Sequence, residues 1–350
     1  MTRARDVADT QENNGGGVAP FVAGKNAAVL NSNFSIWQRG TSVATGTTFT
    51  YGADRWQSYR NFLVTGMTVS RQLTGDTTNL PGIQYCGRFQ RNSGDTSTQA
   101  LVWYQSIETS NSIPLQGKTV TLSYYARAGA NYSSASNVLS AQVVTGTGTD
   151  QNLGSVGYTG STNAISLTST LTTTWQRFTG TATLASNVTE IGINFFYTPS
   201  GTAGANDYVE ITGVQLEAGN VATPFTTATG TIQGELAACQ RYLPAVNFGS
   251  STSEIGNGYC ISTTQGFIQI PFAVQPRVQP TGATISSASH FQIRTSAGAP
   301  QVPATLVFNN ASLTMGSVLT GGNSGMVAGN GTTMQINSSS GQILFTGCEL

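Results

Sequence analysis

Ionic side chains are scarce in this chain. Asp, Glu, Lys and Arg make up 9% of its 350 residues, against about 25% in an ordinary soluble protein. Fifteen basic and fifteen acidic residues cancel to a net charge of zero. No basic stripe remains to neutralise phosphates, so nucleic acid is not an expected partner. No apolar run approaches the ~20 residues that a membrane span needs, and membrane insertion is not expected. Histidine occurs once, at His290. Ser-His-Asp or Cys-His catalysis would rest on that residue alone, yet it sits in ASHFQIR, beginning a strand with no nucleophile motif nearby, and a G-x-S-x-G elbow is missing. Cysteine occurs four times, at Cys86, Cys239, Cys260 and Cys348. The four are far apart and show no C-x-x-C spacing, which disfavours zinc and favours buried free thiols. The opening MTRARDVADT has no apolar segment behind it, unlike a secretory signal. Synthesis and folding in a cytosol are therefore expected.

Small polar residues take the place of ions. Glycine alone contributes 41 residues, and Ser, Thr and Asn crowd the remaining positions, so solubility rests on hydroxyls and amides. Apolar residues at 38% still suffice for a core. Residues 1–30 hold three charges in the first six positions, then NNGGG and Pro20, the composition of an arm ordered by a partner or not at all. Residues 31–225 read as short alternating runs broken by Gly, Asn and Thr-Gly pairs. RWQSYRNFLV, IQYCGRFQR, ALVWYQSIE, KTVTLSYYARA, SNVLSAQVV, TWQRFTGTATL, EIGINFFY and DYVEITGVQLE are strand candidates, the pattern of an all-β sandwich. In KTVTLSYYARA the residues Val120, Leu122, Tyr124 and Ala126 share one face, which predicts one side against a core. In DYVEITGVQLE the apolar set slips from Val209 and Ile211 to Val214 and Leu216. A β-bulge at Thr212-Gly213 produces that slip, and a central strand buried on both faces is the alternative.

Residues 226–244 form a linker and one short helix. Ile232, Leu236, Cys239 and Leu243 recur at helical spacing as one apolar stripe. Thr231 can cap the helix and Pro244 ends it. Glu235 in the first turn and Arg241 in the last complement the helix dipole, each worth about 0.3–1 kcal/mol. Residues 245–350 contain four charged residues, Glu254, Arg277, Arg294 and Glu349. GFIQIPF, HFQIRT, ATLVF and GQILF predict a second, smaller β domain, with GGNSGMVAGNGTT as a loop. A domain of that size has a thin core, which subunits could share.

Candidate chemistry is sparse. Glycoside cleavage needs two carboxylates some 5–10 Å apart, and Glu108, Asp207, Glu210 and Glu217 lie on or beside predicted strands. Such residues more often accept hydrogen bonds at turns and edges, so no enzymatic activity is expected. For Glu217 the expected donors are the amides of the following Gly-Asn turn. Loop carbonyls with Asp54, Asp150 or Asp207 could build an oxygen-only Ca²⁺ site, and no other cofactor is implied. Sugar recognition suits this composition best. It uses aromatic faces with amide and hydroxyl groups in a shallow concavity and needs no net charge. Tyr104, Tyr125 and Arg127 fall on strand faces opposite Leu101, Leu122 and their neighbours. Tyr259, His290 and Arg294 are the polar-capable side chains of the last domain.

Several separated motifs carry a resemblance. ITGVQLEAGNVATPF followed by GELAACQRYL resembles a strand-turn-helix junction of bacteriophage tail-fibre and other virion structural proteins. NSNFSIWQRG, ADRWQ, LQGKTVTLSYYARA and TWQRFTGTATL are similar to strands of the same module. MTRARDVADT is similar to the N-termini of phage fibre proteins that attach to the tail. The resemblance covers roughly residues 31–243. It implies a jelly-roll module like carbohydrate-binding modules, in a virion protein that is often a homotrimer. Residues 1–30 would then dock to a tail or baseplate protein, and residues 245–350 would form a tip that contacts host cell-surface polysaccharide. A structural head-fibre or decoration protein and a tailspike depolymerase are the alternatives. Two positions depart from the pattern: Leu243 stands where an aromatic is usual, and Thr226 stands where an acid is usual.

Overall fold

The computed structural model describes residues 26, 29–60, 66–80, 82–247, 252–295 and 300–350. Most of the expected N-terminal arm lies outside the described residues. Its end does not, because Asn26 and Val29 are buried. Asn26 donates from Nδ2 to the Val29 carbonyl at 3.2 Å and to the Val214 carbonyl at 3.4 Å, so the folded unit begins several residues before Asn31. The chain divides into two compact units, residues 1–235 with Leu350 and residues 236–349.

The first unit is a sandwich of two six-stranded antiparallel sheets. One runs β1 (Ser42–Thr45), β4 (Met67–Leu73), β5 (Tyr85–Arg91), β12 (Tyr208–Ala218), β7 (Thr119–Ala128), β10 (Gln176–Thr183). The other runs β2 (Thr50–Tyr51), β3 (Gln57–Arg60), β6 (Leu101–Ile107), β11 (Glu190–Tyr197), β8 (Val138–Gly146), β9 (Thr162–Thr170). The eight consecutive strands from β5 to β12 fall into the neighbour orders β5-β12-β7-β10 and β6-β11-β8-β9. That interleaving is the jelly roll, which manages exposed sheet edges by doubling the sheet. Val120, Leu122, Tyr124 and Ala126 of β7 all enter the core, with Trp103, Phe195, Val209, Ile211, Val214 and Leu216. Trp103 stacks on Phe89 with ring centroids 4.0 Å apart.

Both expectations for β12 hold together. Its pairing with β7 shifts register between Thr212 and Gln215, and Gly213 at φ +59° is the residue that turns the bulge. The strand is also buried on both faces, from Val209 to Glu217. The outward row therefore carries buried polar groups that need partners. Glu210 accepts from Arg88 Nη2 at 2.6 Å and from Arg127 Nε at 2.5 Å. Much of the little charge this chain has serves as internal pins.

The helix spans Ile232–Gln240. Thr231 caps it, its Oγ1 accepting from the Gly234 amide at 3.1 Å. Its apolar stripe is only half covered: Cys239 is buried, as is Leu243 beyond its end, whereas Ile232 is 52% and Leu236 38% exposed. Glu235 turns inward instead. Its carboxylate accepts from the Asn31 amide at 2.7 Å and from the Thr229 amide at 2.9 Å, which ties the linker to the jelly roll.

The second unit contains a three-stranded sheet, β13 (Ala245–Asn247), β21 (Gln342–Thr346), β16 (Gly282–Ile285), and a six-stranded one. The latter runs β17 (Phe291–Thr295), β20 (Gly331–Ile336), β14 (Glu254–Cys260), β15 (Gly266–Pro271), β19 (Met315–Gly321), β18 (Thr305–Ala311). Ile268, Ile270, Phe291, Ile293, Val318, Met334, Ile343 and Phe345 form a core separate from that of the jelly roll. The expected loop GGNSGMVAGNGTT overlaps the start of β20. All four cysteines are buried, and none is in a disulfide.

Candidate functional site

In the six-stranded sheet, alternate residues of each strand enter the core and the others stand on the opposite face. Cross-strand partners share a face, so the register defines its rows. Gly331 pairs with Tyr259, Tyr259 with Phe267, Phe267 with Leu319, and Leu319 with Val307. This row is aromatic and aliphatic, with the Tyr259 and Phe267 rings 5.3 Å apart at 36°. The next row is Arg294, Thr333, Asn257, Gln269 and Ser317. A third row is an amide ladder: Gln292 Nε2 donates to Gln335 Oε1 at 3.0 Å, and Gln335 Nε2 donates to Glu254 Oε1 at 3.3 Å.

A hollow of about 630 Å³ opens on this face, lined by Glu254, Asn257, Tyr259, Arg294, Gly331 and Thr333 among others. Gly331 lies exposed within it. A Cβ there would meet no atom within 4 Å, so the missing side chain leaves open space beside Tyr259. Tyr259 is 51% exposed and offers one ring face. Asn257, Thr333 and Glu254 supply amide, hydroxyl and carboxylate groups around it. An aromatic platform bordered by hydrogen-bonding groups can hold a polar ring by its apolar face and its hydroxyls at once.

Tyr259 and Arg294, two residues singled out in the sequence, thus line one hollow. His290 does not. It ends a short 3-10 turn, Ala288–His290, and its Nδ1 lies 2.9 Å from the Ser286 hydroxyl. Tyr104 offers no face to a ligand: it is 2% exposed, its hydroxyl donates to Gln57, and Gly154 packs against its ring. The alternation that placed Tyr104 on the strand face opposite Leu101 holds, yet the residue is buried there. The segment around Asn152–Gly154 then covers it, which a strand period does not reveal. Tyr125 and Arg127 lie on the outer face of the jelly-roll sheet and are taken up there. The Arg127 guanidinium pairs with Glu210 and lies 4.8 Å from the Trp175 ring centre, while Arg177 lies 5.5 Å from the ring centre of Tyr125. The groups missed by sequence reasoning are Asn257, Gly331, Thr333 and Phe267. Only Phe267 sat in a recognised strand.

The carboxylates considered for Ca²⁺ are dispersed. Asp54 accepts from the Gln38 amide at 2.9 Å, Asp150 from the Thr109 amide at 2.9 Å, and Asp207 from Arg91 Nη1 at 3.2 Å and the Ser133 amide at 3.0 Å. Among the described residues no group of three or more His, Cys, Asp or Glu is placed to hold a metal ion. No described helix is long and apolar enough to cross a membrane.

No protein-family model matches the sequence, and no curated protein matches it. Solved structures to which it is similar include a CBM4 structure, 18% identical over 55% of this chain and 100% of that one, with a TM-score of 0.35. A putative sugar binding protein from Bacteroides thetaiotaomicron is 13% identical, covering 56% of this chain and 100% of that one, with a TM-score of 0.36. The enzymatically active domain of tailspike protein 4 from bacteriophage CBA120 is 16% identical, covering 47% of this chain and 19% of that one, with a TM-score of 0.31.

Proposed function

We propose that the chain is a bacteriophage tail-fibre or receptor-binding protein whose C-terminal domain holds host surface glycan in the hollow at Tyr259. The observation that carries the glycan assignment is the half-exposed Tyr259 ring beside the open floor at Gly331, bordered by Asn257, Thr333 and Glu254. The virion assignment rests on the separated motifs between NSNFSIWQRG and GELAACQRYL. In this scheme residues 1–30 dock to a tail or baseplate protein, and the protein works in the virion after synthesis in the host cytoplasm. Three copies associate, which the uncovered Ile232 and Leu236 support, since exposed apolar side chains on one helix face gain by burial. Linking three weak sites raises avidity without any new contact. Binding proceeds without cleavage and without a cofactor. Among the described residues Glu254 is the one carboxylate lining the hollow, whereas glycoside hydrolysis calls for two.

The test is adsorption to host cells. The full chain should adsorb, and a chain lacking residues 245–350 should not, while its jelly roll still melts cooperatively. Full adsorption by the shortened chain would overturn the assignment of the tip.

A further inference from the structure

We propose that the hollow selects acidic glycans, those bearing a sugar carboxylate, and that Arg294 is the residue that grips the acid. This inference rests on the glycan function proposed above. It starts from how the chain uses its arginines. Arg60, Arg88, Arg91 and Arg127 are in ion pairs. Arg55, Arg71, Arg177 and Arg277 donate to backbone carbonyls. Arg39 and Arg241 lie against tyrosine rings. Arg294 alone, among the described residues, has a guanidinium that meets no acceptor, carboxylate or ring. It is exposed on β17 and lines the hollow.

A guanidinium presents a planar fork of donors that matches a carboxylate with two parallel hydrogen bonds. Placing it here is specific. Arg294 pairs with Thr333 and Thr333 with Asn257, one row from Gly331 and Tyr259. By strand spacing the backbones of Arg294 and Tyr259 are roughly 12 Å apart. Both side chains are long, so a pyranose ring can lie on Tyr259 while its carboxylate reaches Arg294 over the open floor at Gly331. Glu254, on the far row, is available to accept sugar hydroxyl protons. It also repels a ligand crowded with negative charge, so single carboxylates are favoured over dense sulfates.

The experiment is a glycan array carrying neutral, carboxylated and sulfated glycans, probed with the full chain and three variants, Arg294→Gln, Arg294→Lys and Gly331→Val. Arg294 makes no contact that folding needs, and a Gly331 side chain meets open space, so all variants should keep the wild-type melting temperature. The expected result is binding concentrated among carboxylated glycans, weakened at least tenfold by Arg294→Gln, partly restored in Arg294→Lys, and lost in Gly331→Val. Binding to neutral or sulfated glycans that Gly331→Val removes and Arg294→Gln leaves intact would overturn the acid selectivity and keep the glycan function. No glycan bound, or binding untouched by Gly331→Val, would overturn the glycan function of this hollow and the selectivity with it.

Discussion

Glu217 shows how single residues work in this chain. Its carboxylate is fully buried and accepts from the Thr223 amide at 2.9 Å, the Thr223 hydroxyl at 2.7 Å and Gln215 Nε2 at 2.8 Å. The expected acceptor role holds, but the donors are Thr223, beyond the Gly-Asn turn, and Gln215, before it, so one carboxylate clasps both ends of the turn. Glu217→Ala withdraws the acceptor of three hydrogen bonds and should cost about 2–3 kcal/mol, seen as a jelly-roll transition lowered by about 5–10 °C in calorimetry. Glu190 behaves in the opposite sense. Burial raises its pKa above the ordinary carboxylate value, and its Oε2 has no hydrogen-bond partner. The native state then holds this proton more tightly than the unfolded chain. Its contribution to stability falls as pH rises from the ordinary carboxylate range through the raised native value, and levels off above it. Urea unfolding of Glu190→Gln should lack that fall and show greater stability than wild type at neutral pH. The thiols offer a third check. All four are buried, and burial pushes Cys348 up to about 11. Iodoacetamide at pH 8 should leave the native protein unlabelled by mass spectrometry and label all four cysteines in denaturant.

Strands differ in how far they can be read from sequence, and β12 and β14 mark the extremes. The slip in DYVEITGVQLE is visible because strong apolar residues stand on both sides of the bulge. Gly213→Ala would force φ +59° on an L side chain and bring its Cβ to 2.9 Å from the Tyr125 ring. It should destabilise the jelly roll by about 1–3 kcal/mol, readable as a shifted urea midpoint with an unchanged slope. In β14, EIGNGYC, the inward positions are Ile255 and Cys260, put out of phase by a register shift between Glu254 and Gly256, and two glycines blank the remainder. No apolar alternation survives there. β20, GTTMQI, begins inside a Gly-Asn-rich stretch that reads as loop. These two strands carry Tyr259, Asn257, Gly331 and Thr333. Tyr259 and Arg294 were legible as polar-capable side chains in a sparse domain, whereas their neighbours in the hollow depend on cross-strand pairing. The helix was legible in its start but not in its end or its orientation. It stops at Gln240, so Arg241 lies beyond the last turn and Pro244 does not end it. Glu235, held by Asn31 and Thr229, competes with Ile232 for the inward side.

At the scale of the molecule, low charge and abundant glycine serve two units differently. The jelly roll buries about half of its described charged residues, while the second unit leaves a polar sheet face open around one aromatic row. Each has its own apolar core. Association of copies is a separate claim with its own check. Light scattering should give about 110 kDa, three times the 36.5 kDa of one chain, as expected of a closed symmetric trimer; a mass of one chain would remove the avidity argument. The central claim is that the face bearing Tyr259 binds glycan. Titration calorimetry of the full chain with host surface polysaccharide, wild type beside Tyr259→Ala, tests it most directly. Tyr259 is half exposed, so its truncation should leave the melting temperature within about 2 °C while weakening binding at least tenfold. Equal binding by the two proteins would contradict the assignment of this hollow.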